Sequence, residues 1–203
     1  MIKTIIFDFG NVFVNLNIDA AHKHALDTFQ IDALSEEMLG FNSFYEQGLI
    51  STDEFLEFYA ENFPKLSKVE LIDIWNFMLK DFPENRLDFL KTLQQSSKYK
   101  LILLSNTNTL HINYIQEHIS FYAEFKNCFD AFYLSHEINL VKPNQDIFEF
   151  VLNDNKLKAE ECLFIDDNQD NINAAHTLKL KTWHINPETE DVINLFETKK
   201  NLF

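Results

Sequence analysis

Four short apolar runs punctuate the chain without alternating with polar residues: Thr4–Phe9, Leu101–Ser105, Ala131–Ser135 and Cys162–Asp167. A weaker fifth covers Lys181–Ile185. Continuous runs of this kind suit parallel strands covered on both faces. Between the later runs the spacing changes to the helical period. Leu110, Asn113, Tyr114, Glu117 and His118 share one spacing, Ile147, Phe148, Val151 and Leu152 a second, and Ile172, Ala175 and Leu178 a third. Strand–helix alternation predicts a doubly wound α/β fold.

The stretch 18–82 follows another rule, with helical patterns and no convincing strand. Ile18, Ala21, Ala25, Leu26 and Phe29 predict one apolar helix face. Ser51 with Glu54 and Ser67 with Glu70 read as capping boxes, in which the serine accepts from an early amide and the glutamate reaches back. Leu71, Trp75, Met78 and Phe82 extend the second of these at helical spacing. About four helices are therefore expected after the first strand. They read as a cap over residues 16–85, because the α/β core, 1–15 and 86–203, is complete without them.

Composition narrows the partners. Over 203 residues, 46% are apolar and 24% charged, which fits a folded globular chain. Thirty-two acids against 17 bases give a formal charge of −15, which argues against nucleic acid and membrane surfaces as partners. A small anionic substrate then needs a cation or a cluster of donors to invert the field locally. Two cysteines, Cys128 and Cys162, are too few for a disulfide framework or a four-ligand zinc site and read as buried free thiols in a reducing compartment. Met1–Phe9 is interrupted by Lys3 and Asp8 and precedes no small-residue cleavage site, so no secretory signal is expected. A cytoplasmic protein is the resulting expectation.

Candidate chemistry collects at the ends of the apolar runs. Asp8 closes the first and is followed by Gly10, one of only three glycines. An acid there costs stability unless it is paired or functional, although a structural aspartate turn is also consistent. Ser105-Asn106-Thr107-Asn108 closes the second run, where hydroxyl, amide and free backbone N–H groups suit an anion or a plain helix N-cap. Lys142 precedes Pro143, which fits a first helical turn; alone, Lys142 reads as a surface lysine. The adjacent acids Asp166 and Asp167 repel each other at a buried strand end, so a divalent cation is their natural compensation, and Asp170 reads as a helix cap. The seven histidines show no ligand spacing, and His111 and His118 read as a solvated helix face.

Taken in order, Asp8-Phe9-Gly10-Asn11-Val12, Ser105-Asn106, Lys142-Pro143 and Asp166-Asp167 resemble the four motifs of the haloacid dehalogenase superfamily, most of whose members are aspartate-nucleophile phosphatases. Leu104–His111, Phe164–Asn168 and the segment Phe44–Ser51 are similar to the bacterial α-D-glucose-1-phosphate phosphatase group. The resemblance covers essentially the whole chain. It implies a Rossmann-like core with an inserted helical cap, neighbouring strands ending in Asp8 and Asp167, and a magnesium-dependent phosphatase acting on a small phosphorylated metabolite such as a sugar phosphate. By the same resemblance Asp8 is the nucleophile and a magnesium ligand. The Gly10 carbonyl and Asp167 complete the protein's share of the metal shell, and Asp166 acts through water. Ser105 and the Asn106 amide hold phosphate oxygens, and Lys142 offsets the negative charges.

One position departs from the motif. Most phosphatases of the family place a second aspartate two residues after the nucleophile, as general acid and base; this chain has Gly10. Dehalogenases of the superfamily also lack that acid, whereas the glucose-1-phosphate phosphatase group shares the Asp-x-Gly-Asn form. Asn15 and Asn17 stand where that group tends to have acids. Two alternatives therefore accompany the phosphatase reading: a dehalogenase-like hydrolase acting on carbon, disfavoured by the paired acids, and a catalytically weakened phosphate-binding protein.

Overall fold

The computed structural model describes residues 1–203. Its centre is a five-stranded parallel sheet in the order β3-β2-β1-β4-β5, formed by β1 (Thr4–Phe7), β2 (Lys100–Ser105), β3 (Ala131–Leu134), β4 (Cys162–Asp166) and β5 (Lys181–His184). The expected runs thus become strands, four of them trimmed by one or two residues and the second extended by one at its start. β1 pairs with β2 on one side and β4 on the other, with Ile6 in register with both Ile102 and Phe164. After β3 the chain returns past β1 to lay down β4, so the winding reverses between β1 and β4. That is where open α/β sheets place their ligands.

Successive strand residues point to opposite faces, which splits the apolar runs between two cores. Ile5, Phe7, Leu101, Leu103, Leu163 and Ile165 build one. They face α5 (Glu84–Ser96), α6 (Thr109–His118) and α7 (Tyr122–Lys126) through Leu90, Ile115 and Phe125. Phe7, Phe9, Phe13, Phe82, Phe125 and Phe129 interlock there, largely edge-to-face or tilted, which absorbs part of the phenylalanine excess. Ile6, Ile102, Leu104 and Phe164 build the other core, against Ile147, Phe148 and Val151 of α9 (Gln145–Asp154) and Ile172 and Ala175 of α10 (Gln169–Thr177). Each such side chain contributes about 1.5–3 kcal/mol on burial, which offsets the burial of charged groups at the sheet's carboxyl edge.

The stretch between β1 and α5 forms α1 (Ile18–Phe29), α2 (Glu36–Glu46), α3 (Thr52–Asn62) and α4 (Lys68–Asn76) around a cluster of their own, centred on Phe29, Tyr45, Phe55, Tyr59 and Leu71. Both capping boxes are present. Some boundaries and faces differ from expectation. α4 stops at Asn76, so Met78 and Phe82 lie beyond it, and Phe82 joins the aromatic core of the sheet. On α1 only Ala25 and Phe29 are buried, while Ile18 is exposed. On α6 the buried face is Leu110, Ile112 and Ile115. The two connections to the helical layer run side by side: Asn15 N–H donates to the Asp81 carbonyl (2.9 Å), Lys80 N–H to Asn15 (3.0 Å), and Asn17 N–H to Met78 (2.9 Å). Both cysteines are buried and free, and no helix is long and apolar enough to cross a membrane.

Candidate active site

Parallel pairing carries Asp8, just past β1, and Asp166, the last residue of β4, to adjacent strand ends. Asp8 N–H donates to the Ile165 carbonyl at 2.9 Å, which prolongs the ladder by one bond and holds the acid at the sheet's edge. Asp8, Asp166 and Asp167 bring one carboxylate oxygen each within 4.8 Å of one another. Lys142 reaches between them, its Nζ 2.8 Å from Asp8 Oδ1 and 2.7 Å from Asp166 Oδ2. A lysine that read as a surface residue is in fact 3% exposed, and the paired acids account for it.

The three acids are not equivalent. Asp166 is enclosed on all sides: Oδ1 accepts from Asn168 N–H (2.8 Å) and Asn171 Nδ2 (3.1 Å), and Oδ2 from Asn171 Nδ2 (3.0 Å) and Lys142. Its oxygens are committed to protein donors, so it orients Lys142. Asp167 is less buried and accepts one side-chain bond, from Asn11 Nδ2 at 2.8 Å. Asn11 adopts φ 55°, a left-handed conformation that asparagine tolerates well, and its Oδ1 accepts from Leu16 N–H at 3.0 Å. The sequence places Asn11 within the first motif without indicating this role.

One ammonium among three acids leaves surplus negative charge. Burial, opposed by Lys142 and reinforced by Asp166, pushes Asp8 up to about 7. Burial also raises Asp167, and its bond from Asn11 opposes the rise. Although burial works against its charge, Asp166 and Asp8 hold Lys142 above its ordinary range and keep it protonated. A buried set of hard oxygen donors with excess negative charge fits a divalent cation of the magnesium type.

Ser105 ends β2, buried. Beyond it the Asn106 side chain faces Lys142 rather than open space: Nδ2 donates to the Lys142 carbonyl (2.9 Å) and Oδ1 accepts from Lys142 N–H (2.9 Å). Asn108 is the N-cap of α6, accepting from His111 N–H at 3.0 Å, so the Ser-Asn-Thr-Asn segment divides between capping and site. Two capping expectations are corrected. α9 begins at Gln145 behind Asn144, leaving Pro143 in a turn before it and not in its first helical turn. Asn168, not Asp170, caps α10, because its Oδ1 reaches the N–H groups of Asp170 and Asn171. His111 is another correction. It does not lie on a solvated face; its Nε2 meets the Trp75 carbonyl (3.0 Å) and its Nδ1 meets Asn108 Nδ2 (3.3 Å).

A cavity of about 130 Å³ opens beside these groups, lined among others by Gly10, Leu16, Ser105, Asn106 and His111, with Glu46 entering at the end of α2. The sequence marks the loop around Glu46–Gly48 as a candidate hinge or specificity element, but not the clamp that brings Glu46 there. α8 (Ser135–Ile138) follows β3 directly. Ser135 Oγ accepts from Thr107 N–H (2.9 Å) and shares its proton between the carbonyls of Glu46 (2.7 Å) and Thr107 (2.9 Å). Asn139 Nδ2 donates to the Gln47 carbonyl at 2.8 Å. Gly48 turns at φ 67°, and a Cβ there would lie 2.0 Å from the His136 carbonyl oxygen, so only glycine fits. Arg86 likewise escaped notice: buried at the start of α5, it bonds the Phe13 carbonyl (3.0 Å) and Asn15 Oδ1 (2.9 Å) and pairs with Asp191. Asn15 is thereby occupied between the two connections to the helical layer and does not line the cavity beside Gly10.

A family model described as haloacid dehalogenase-like hydrolase matches residues 2–178. The D-ribitol-5-phosphate phosphatase of Bacteroides thetaiotaomicron is 30% identical over 190 residues, covering 90% of this chain and 91% of that one. A haloacid dehalogenase family enzyme of the same organism, solved with magnesium and inorganic phosphate, superposes with a TM-score of 0.84 at 32% identity, covering 97% of this chain and all of the other (100%). A family hydrolase of Porphyromonas gingivalis gives a TM-score of 0.83 at 29% identity, covering 98% and 97%.

Proposed function

The chain belongs to the haloacid dehalogenase-like hydrolases, and from that premise we propose that it is a magnesium-dependent phosphatase of a small phosphorylated metabolite, a sugar or polyol phosphate. The observation that carries this reading is the convergence of Asp8, Asp166 and Asp167 within 4.8 Å around a buried Lys142, beside Ser105 and Asn106. The similarity to a D-ribitol-5-phosphate phosphatase supports the substrate class.

Asp8 attacks phosphorus, forming an aspartyl phosphate that water then hydrolyses. Lys142, held charged by Asp166, balances the nucleophile and the phosphoryl oxygens. Ser105 Oγ and the backbone N–H of Asn106 are the donors for those oxygens, since the Asn106 side chain is already engaged with Lys142. The metal, when bound, supplies a positive charge that brings nucleophile and substrate dianion together. Asp8, Asp167 and the Gly10 carbonyl would hold it; Asp166, its oxygens taken by Asn168, Asn171 and Lys142, would act through the lysine rather than through water. Residues 16–85 act as a cap over the core of 1–15 and 86–203, excluding water from the phosphate and setting specificity. The carbon–halogen alternative has no use for three clustered acids, and the binding-only alternative leaves the lysine–aspartate constellation without a purpose. Substrate is a freely diffusing metabolite; the net charge argues against nucleic acid and membrane surfaces, and a cytoplasmic setting suits the free thiols.

The test is hydrolysis of 4-nitrophenyl phosphate with magnesium and then with chelator, followed by a panel of sugar and polyol phosphates. Turnover abolished by chelator supports the reading. Turnover indifferent to chelator, or absent with every ester, overturns it.

A further inference from the structure

Position 10 carries no side chain, so the loop bearing Asp8 has no acid with which to protonate a departing alkoxide. Nor is there room held open for one. A Cβ at Gly10 would stand 2.7 Å from Leu16 Cδ1, so the leucine fills the space that such a side chain would enter. A side-chain donor would have to stand on another wall of the same cavity.

Two titratable side chains line that cavity, His111 and Glu46. Both ring nitrogens of His111 are in use, Nε2 on the Trp75 carbonyl and Nδ1 on Asn108, and its burial lowers it to about 4, so it stays neutral and fixed. Glu46 differs in each respect. Its backbone is clamped to the core through Ser135, and the next two residues are held by Asn139 and by the close passage of Gly48 over His136. Its carboxyl is not tied up by a hydrogen bond. It lines the same cavity as Ser105 and Asn106, the groups assigned to the phosphate, and the Lys142 charge acts on its carboxyl.

We propose that Glu46 is the proton donor to the leaving-group oxygen and, in the second half-reaction, the base for the attacking water; the proposal rests on the phosphatase reading. In the first step an Asp8 oxygen bonds to phosphorus, the bond from phosphorus to the ester oxygen breaks, and that oxygen takes the proton of Glu46 to leave as an alcohol. In the second, water attacks phosphorus, its proton passes to the Glu46 carboxylate, and the Asp8–phosphorus bond breaks. Inorganic phosphate departs with Asp8 ionised and Glu46 protonated as at the start. Burial raises Glu46 above the usual carboxylate range, with Lys142 opposing, which favours the protonated form that the first step requires.

The experiment compares wild type with Glu46→Gln on a series of phosphate monoesters, from 4-nitrophenyl phosphate to D-ribitol 5-phosphate and other primary alkyl phosphates, with magnesium throughout. A nitrophenolate leaves without a proton, whereas a primary alkoxide needs one. For alkyl esters kcat should fall ~10²–10⁴-fold, while the aryl ester should lose no more than about tenfold. Glu46→Asp should recover part of the alkyl-ester rate, and melting curves of both variants check the fold. Equal losses across the series overturn the proposal, as does an effect on KM alone, which would make Glu46 a hydroxyl-binding group. A wild type that cleaves only aryl esters also overturns it, since no acid would then be assisting. A wild type that cleaves no ester at all brings down the phosphatase reading itself.

Discussion

Asn106 and Lys142 grip each other through a reciprocal pair of hydrogen bonds, amide nitrogen to carbonyl and backbone N–H to amide oxygen, each 2.9 Å. The loop after β2 thereby fixes the backbone from which Lys142 reaches two aspartates. Asn106→Ala should cost about 1–3 kcal/mol, at about 0.5–1.5 kcal/mol for each bond lost. It should also lower kcat, because Lys142 is no longer held in place. Denaturant unfolding and steady-state kinetics read the two effects. A stability loss with kcat intact would make the pair purely structural.

Asp8→Asn should abolish turnover, because the amide is nearly isosteric but is not a nucleophile. In metal-free buffer it should also stabilise the fold near pH 8. Asp8 rises from 3.8 to about 7 on folding, so between those values the folded state binds more protons than the unfolded state. Stability from this group is therefore present at low pH and falls as pH rises toward 7. The gain on removing the charge has an upper bound on the order of 4 kcal/mol. Unfolding curves in chelator at pH 8 check it; a destabilised variant would contradict the sign.

Asp167→Asn should raise the magnesium concentration needed for half-maximal activity while leaving Lys142 paired. Asp170→Asn should change neither activity nor metal dependence, since Asn168 is the cap of α10. Asp166→Asn should instead destabilise the fold by about 3–5 kcal/mol, because it strips a partner from the buried Lys142. Magnesium titration of activity and thermal melts separate the three. Equal metal effects at 167 and 170 would mean that the ligand is misassigned.

His111 falls from 6.5 to about 4 through burial, partly countered by its bond to the Trp75 carbonyl. Its folded-state pKa is depressed, so the unfolded chain binds the extra proton. The stability it carries is complete above pH 6.5 and is lost as pH falls toward 4, by up to about 3 kcal/mol. The Asp8 slope has the opposite sign, so the comparison belongs in the Asp8→Asn background. There, His111→Gln should flatten the dependence of the unfolding midpoint between pH 7 and 4.5. An unchanged slope would assign the acid lability to another group.

The architecture is legible along the chain, and so are the residue types that its strand ends bring together. Five apolar runs, two capping boxes and the order Asp8, Ser105, Lys142, Asp166 and Asp167 are local properties, set by side-chain period and by residue type at the end of a strand. Gly10 reads as a missing acid only against the motif of the family that the chain resembles. The partnerships were not legible. Taken alone Lys142 reads as a surface residue, and only the family resemblance gives it a place in the site; its burial between Asp8 and Asp166 depends on strands far apart in the chain meeting in one register. The division of labour between Asp166 and Asp167 follows from which of them Asn171 and Asn11 reach. His111 read as solvated because helical spacing cannot tell which face a neighbouring helix will cover. Glu46 comes to the cavity lined by Gly10 only because Ser135, Asn139 and His136, some ninety positions along the chain, hold the end of α2 against the core. Periodicity and residue type act within a few residues, whereas a site is made by packing, which joins groups that the sequence keeps apart.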